Sequence, residues 1–158
     1  MSASTTTTFP LLFSYRDLIG GKGYFAGVEV HGRALLVESD GDVWMYGMNP
    51  GGLAGGGATR KEALSDFRRG YNSVLIDIAQ ASDSFEGFKA EVESFFHETN
   101  DALEPDWEAA IAAVRADAVK ADWLNRRPYS ADAVSISVIR IEQPVAEENS
   151  VPNEELAA

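Results

Sequence analysis

The sequence contains no cysteine. Disulfide scaffolds, thiolate zinc sites, iron–sulfur clusters and cysteine nucleophiles are therefore excluded. Two histidines, His31 and His97, are too few for a histidine-rich metal site. No apolar run approaches the roughly 20 residues that carry a helix across a bilayer. Residues 1–8 hold neither a basic cluster nor a long apolar stretch, so no secretory signal is expected and a cytoplasmic address is. Basic residues are also scarce, with 13 Lys and Arg against 25 Asp and Glu and a net charge of −12. Phosphate backbones and anionic membranes repel such a chain, so neither direct nucleic-acid binding nor membrane binding is expected. A basic protein is the more natural partner.

What remains is an ordinary globular composition, 45% hydrophobic over 158 residues, enough for one domain with its own core. Its acidity is uneven: residues 1–80 carry a net −1 and residues 81–158 a net −11. The Ser/Thr-rich start has little to bury, and residues 1–10 are expected to be disordered. Residues 143–158, acidic with two prolines, are expected to form a second disordered tail. Between them, residues 11–142 read as a single α+β domain.

Residues 11–15 read as a short strand, followed by a glycine-rich loop around Lys22. Two strands, 24–30 and 33–38, are expected to join at His31-Gly32. Asp40-Gly41 is a strong hairpin signal and leads into the aromatic strand 43–48. Residues 49–58 hold five glycines and run into Thr59-Arg60-Lys61-Glu62, a capping box. Leu64, Phe67, Tyr71, Val74, Leu75 and Ile78 then recur at the three- and four-residue spacing of an amphipathic helix spanning 59–80. Two more helices are expected within about 84–125. The first is capped by Asp83 and Glu86, with Phe85, Phe88, Val92, Phe95 and Phe96 as its stripe. The second starts at Glu104-Pro105, with Trp107, Ile111, Val114 and Ala118 on one face. Residues 132–142 return to strand character. There Val134, Ile136 and Val138 alternate with serines while Ile139 and Ile141 fall in the opposite phase. That break implies a bulge or burial on both faces.

The chemistry-bearing patterns are weak. The loop from Gly51 to Gly57 satisfies neither a P-loop, which needs Lys and Ser/Thr after the last glycine, nor G-x-G-x-x-G. Asp40 and Asp42 read as turn residues, since no further oxygen ligands follow at calcium-loop spacing. His31 and His97 lack a G-x-S-x-G nucleophile partner. No catalytic, cofactor-binding or metal-binding residue is assigned, and the chain reads as a non-enzyme. The stripe Phe88, Val92, Phe95 and Phe96 is either core or a docking surface. Two short helices are marginal alone, so their stripes must cover the free sheet face or a second copy. A homodimer or higher homo-oligomer through these four residues is the expectation.

The segment from Arg33 to about Gln80 resembles the N-terminal domain of HicB-type antitoxins. The resemblance rests on the strand at 34–39, the Asp40-Gly41-Asp42 turn, the aromatic strand 43–48, Pro50-Gly51, the glycines at 55–57 and Thr59-Arg60-Lys61-Glu62-Ala63. It implies a partial ribonuclease-H-like layer: a small antiparallel sheet, a meander plus the late strand 133–141, packed by the amphipathic helix. Two additional helices and the lack of a DNA-binding segment set this chain apart. The function implied is that of an antitoxin that neutralises a small basic RNA-cleaving toxin by protein–protein contact. An orphan interaction or structural module with the same fold is the alternative. A small hydrolase built from a histidine and the Asp40/Asp42 turn has only residue inventory behind it.

Overall fold

The computed structural model describes residues 5–142 and 154–157. Strands β1 (Thr7–Gly20), β2 (Phe25–Ser39), β3 (Asp42–Asn49) and β4 (Ala54–Gly57) form an antiparallel meander, followed by the long helix α1 (Arg60–Ala81). Helix α2 (Phe85–His97) comes next, then a single 3₁₀ turn leading into α3 (Glu104–Arg115). The strands β5 (Arg126–Arg127), β6 (Ser135–Ile141) and β7 (Glu154–Ala157) complete the fold. The sheet order is β4-β3-β2-β1-β7-β5, with β6 paired to the first half of β2. The protein is α+β, and its sheet is packed by an amphipathic helix as the periodicity requires.

The β1–β2 ribbon runs in unbroken register from Thr7↔Glu38 to Gly20↔Phe25, so residues of one parity share a face throughout. One face carries Phe9, Leu11, Phe13 and Tyr15 with Val28, Val30 and Leu36, and it packs against α1 and α2. The opposite face carries Leu12 and Leu35, and with Met48 it packs against Trp107, Ala110 and Ile111 of α3. Helix α1 presents Ala63, Phe67, Tyr71, Leu75 and Ala79 as its buried stripe, flanked by the half-buried Leu64, Val74 and Ile78. It can come this close because Gly55 of β4 has no side chain: a Cβ there would lie 2.3 Å from the Phe67 nitrogen.

Caps follow the sequence closely. The Thr59 hydroxyl accepts from the Glu62 amide at 3.1 Å, and the Glu62 carboxylate accepts from the Ala58 amide at 3.0 Å. For α2 the cap is Ser84, which accepts from Gly87 at 3.1 Å, not Asp83. At the β2–β3 turn Gly41 takes φ +78°, the left-handed conformation that a tight hairpin demands.

Several expectations are corrected. Residues 24–38 are not two strands joined at His31-Gly32 but one strand, because β1 pairs alongside it for its whole length. Gly32 marks a close approach instead, since a Cβ there would lie 2.2 Å from the Asn49 carbonyl oxygen. The expected disorder of residues 1–10 fails from Thr7 onward, where β1 begins and Phe9 is buried. Residues 1–4 lie outside those described. Helix α3 stops at Arg115, short of Ala118, where Asp117 turns to φ 57°. Within β6, Ile139 is neither at a bulge nor buried; it is 57% exposed. The tail was expected to be disordered, yet Glu154–Ala157 is a strand slotted between β1 and β5. The remainder of that tail, 143–153 and Ala158, lies outside the described residues.

Candidate functional site

The stripe expected to dock a partner or a second copy is internal. Phe88, Val92 and Phe96 are each 0% exposed. Their helix lies on the α1 side of the sheet over the β2–β6 end, with Phe88 5.6 Å from the Tyr24 ring. Phe95 is half-buried, edge-on to Tyr71 at 5.9 Å. Phe88, Val92 and Phe96 are core and Phe95 packs half-buried against it, because the free end of the sheet was there to be covered. A dimer through them would need the domain to open.

The histidine and the turn carboxylates are far apart. His31 sits mid-way along β2, its Nε2 3.1 Å from Glu29 Oε1. Asp40 and Asp42 flank the far tip of the same strand, beyond Ser39. Eight extended residues separate His31 from Ser39, about 26 Å at the usual rise per residue. His97 closes α2, its ring against Phe96 at 5.2 Å. The glycine loop is likewise committed to packing: Gly51 donates its amide to Glu98 O at 2.7 Å, and Gly55 abuts α1.

What the structure does assemble is an open half of the sheet. Helix α3 covers only one end of its face, anchored over Arg33 and Leu35. The anchor is specific. The Arg33 guanidinium donates to Asn49 Oδ1 at 2.6 Å and to Glu104 Oε1 at 2.8 Å, and lies 5.1 Å from the Trp107 ring centre. Beyond Arg33, no helix among the described residues covers the same face. Register places Leu18, Gly27 and Ile139 in one row across β1, β2 and β6, with Phe25 and Ile141 in the next. Leu18 is 39% exposed, Phe25 41% and Ile139 57%. The two isoleucines lean over Gly27, where a Cβ would lie 2.9 Å from Ile141 Cδ1. The following row is polar: Arg16 pairs with Glu29 at 3.4 Å, and Glu29 also holds His31. Lys22 at the hairpin tip pairs with Asp83, while Arg140, paired with Ala26, lies on the opposite face from the patch and donates to Gly23 O at 3.5 Å. The result is an apolar patch bordered by a polar row of Arg16, Glu29 and His31.

The outer edge of β6 adjoins this patch, and among the described residues no strand pairs with it. The other outer strand of the meander is treated differently. The Gly56 amide of β4 donates to the Asp66 carboxylate of α1 at 3.0 Å, which occupies that edge. A second concavity, about 870 Å³, runs between α3 and the sheet, lined by Leu35, Val37, Tyr46 and Ala110. Its mouth holds Glu38, Arg60, Asp106 and Lys120, and Arg60 is already engaged by Glu38 and by the Trp123 ring at 4.3 Å. Charges of both signs leave it no preference for an anion or a cation. Among the described residues no group of three or more His, Asp or Glu is placed to hold a metal ion, and no helix is long and apolar enough to cross a membrane.

The patch residues were visible in the sequence only as an anomaly. Ile139 and Ile141 break the alternation of 134–138, and that break is the sole local sign that β6 shows apolar side chains to solvent. Leu18 and Phe25 flank the Gly20–Gly23 hairpin tip and carry no sign at all.

Comparison with protein-family models, with curated proteins and with solved structures gives no match.

Proposed function

We propose that the chain is a non-enzymatic binding protein of HicB-like fold that holds a small basic protein, of the RNA-cleaving toxin class the resemblance implies. The observation that carries this reading is the uncovered patch Leu18, Phe25 and Ile139 beside the open β6 edge. Contiguous exposed apolar side chains ringed by polar ones are characteristic of protein-binding surfaces. A strand edge next to them offers backbone hydrogen bonds to an incoming segment. The net charge of −12 supplies the long-range attraction for a basic partner. Such a field raises the encounter rate more than it sets final affinity. The meander, the Asp40-Gly41 turn and the capped helix α1 agree with the order of elements that the resemblance implies.

The alternative, an interaction module without a toxin, draws on the rim. Arg16, in the row beside the patch, does not favour a strongly basic surface at the point of contact.

One experiment separates the two. Full-length protein and its Ile139→Asp variant are immobilised, and captured host proteins are assayed for RNA cleavage with and without added wild-type chain. The antitoxin reading expects a basic protein of small size whose cleavage is silenced by wild type and not by Ile139→Asp, and whose association rate falls with salt. A captured partner without ribonuclease activity moves the assignment to the interaction module. Capture that ignores Ile139→Asp sinks the patch as the site.

A further inference from the structure

We infer that the aromatic stretch of β3 is a carbohydrate-binding platform, independent of the apolar patch, and that it takes a neutral, flat, β-linked pyranose chain. Trp44 and Tyr46 stand two residues apart on the face of the sheet that carries α3, since their register partners on β2 are Val37 and Leu35. Their rings are parallel to within 17°, with centres 6.1 Å apart. How the pair lies follows from Gly56 of β4, the residue opposite Trp44. A Cβ on that glycine would lie 2.8, 2.8 and 2.9 Å from Cε3, Cζ3 and Cδ2 of Trp44. Near-equal distances to three adjacent ring atoms mean an approach from above the ring plane, so the indole lies flat on the sheet. Tyr46 shares that tilt at the next position along the same face, and the two rings tile one surface. Trp44 is 44% exposed.

Ring-shaped ligands suit such a surface, and the surroundings select among them. Tyr46 is also a wall of the concavity of about 870 Å³ between α3 and the sheet, so the platform leads from open solvent into a cleft of ligand size. The mouth presents Asp106, Lys120, Thr8 and the Glu38–Arg60 pair. Two carboxylates and two cations cancel there, which favours a neutral ligand over an organic cation or anion. A wholly apolar ring would give these groups no partner. A pyranose meets both demands. The C–H groups of one ring face pack on an aromatic side chain, while its hydroxyls donate to carboxylates and accept from ammonium and guanidinium groups. A nucleic-acid strand also stacks its bases on exposed rings, but its phosphates meet a chain of net charge −12. The platform's shape narrows the class further. Two rings within 17° of parallel fit a chain whose sugar faces stay in one plane, as equatorial linkages keep them. A chain joined through axial linkages coils and meets only one ring at a time.

The test titrates the full-length, isotope-labelled chain with cellohexaose, whose linkages are equatorial, and with its axially linked isomer maltohexaose, followed by nuclear magnetic resonance. The indole N–H signal of Trp44 should shift with millimolar cellohexaose while that of Trp107, 1% exposed, stays in place. Cellohexaose should bind about tenfold or more tighter than maltohexaose, and equal affinities would overturn the proposal. Trp44→Leu keeps an apolar cover over Gly56 and removes only the aromatic face. It should weaken cellohexaose binding about tenfold or more, the scale of losing one stacked ring, and unchanged binding would overturn the proposal. Should Trp44→Leu fail to fold, the wild-type Trp44 shift and the ratio of the two affinities decide without it. Ile139→Asp, in the apolar patch, should leave cellohexaose binding unchanged, and loss of binding there would overturn the platform as the site. Single-stranded hexathymidylate should leave the Trp44 signal in place. A shift with it as large as that with cellohexaose, or no shift with cellohexaose, would overturn the proposal.

Discussion

Removing Glu104 should cost the protein about 3 kcal/mol, and the figure follows from what its loss strands. The Arg33 side chain is 9% exposed and Glu104 36%, so the charge left behind is the deeply buried one. Breaking a fully buried pair from one side typically costs 3–5 kcal/mol. Partial exposure of Glu104 means water already screens the pair, which places the loss near the lower end. Asn49 Oδ1 and the Trp107 ring still receive the guanidinium and hold part of its stabilisation. Glu104 also stands in the first turn of α3, where a carboxylate adds roughly 0.3–1 kcal/mol against the helix dipole. Urea denaturation of Glu104→Ala should show this as a midpoint lowered by roughly 1–3 M for typical slopes of about 1–3 kcal/mol/M, with the slope unchanged. The control is Lys22→Ala, whose partner Asp83 is 94% exposed at 3.5 Å, and it should move the midpoint by the equivalent of less than about 0.5 kcal/mol. A loss below about 1 kcal/mol for Glu104→Ala would mean that Arg33 finds water on its own. Helix α3 would then be held by its apolar contacts alone.

Other perturbations test the remaining packing. Gly55→Ala should cost about 3 kcal/mol, because its Cβ would meet α1 backbone at 2.3 Å and backbone cannot yield; a circular-dichroism melt that matches wild type would refute the close approach. Leu75→Ala, at a fully buried position, should cost about 2–5 kcal/mol by the same melt, and a near-zero change would remove α1 from the core. Burial holds the Tyr71 hydroxyl, and burial with a hydrogen bond to Asp17 holds that of Tyr15, well above the usual tyrosine range. An unfolded tyrosine ionises near pH 10, so above that pH the unfolded state binds fewer protons and stability falls by up to about 1.4 kcal/mol per pH unit per tyrosine. The Tyr71 hydroxyl has no hydrogen-bond partner among the described residues. Tyr71→Phe should therefore be neutral or stabilising by about 1 kcal/mol at pH 7 and should flatten the alkaline slope between pH 10 and 11. An unchanged slope would contradict its burial as the cause.

Much of this fold is legible where the determining contact is local. Thr59 and Glu62 meet within four residues, Asp40-Gly41 closes its own turn, and the Phe67–Tyr71–Leu75 stripe needs only a surface to lie on. Legibility fails where a residue's reason is distant. Gly32 looks like a turn beside His31, but it is glycine because Asn49 and the Phe13 ring take the space of its side chain. Nothing in Glu154-Glu155-Leu156-Ala157 suggests a strand. The arginines that pair with it, Arg68 and Arg127, come from 86 and 28 residues away in the chain, and only the folded sheet brings them to it.

The candidate site was obscured for a related reason. A phenylalanine stripe on α2 and an out-of-phase isoleucine on β6 are both surplus apolar side chains, and either can be core or contact surface. Area decides between them. Helices α1 and α2 lie together on one face of the sheet, and α3, at 12 residues, reaches over only part of the other. The α2 stripe therefore finds sheet to cover and is buried, whereas Ile139, Phe25 and Leu18 lie past the reach of α3 and are not. Counting helices against sheet faces would have assigned the stripe to the core and directed attention to β6. That uncovered end, and not the aromatic helix, is where the described residues leave these large apolar side chains exposed.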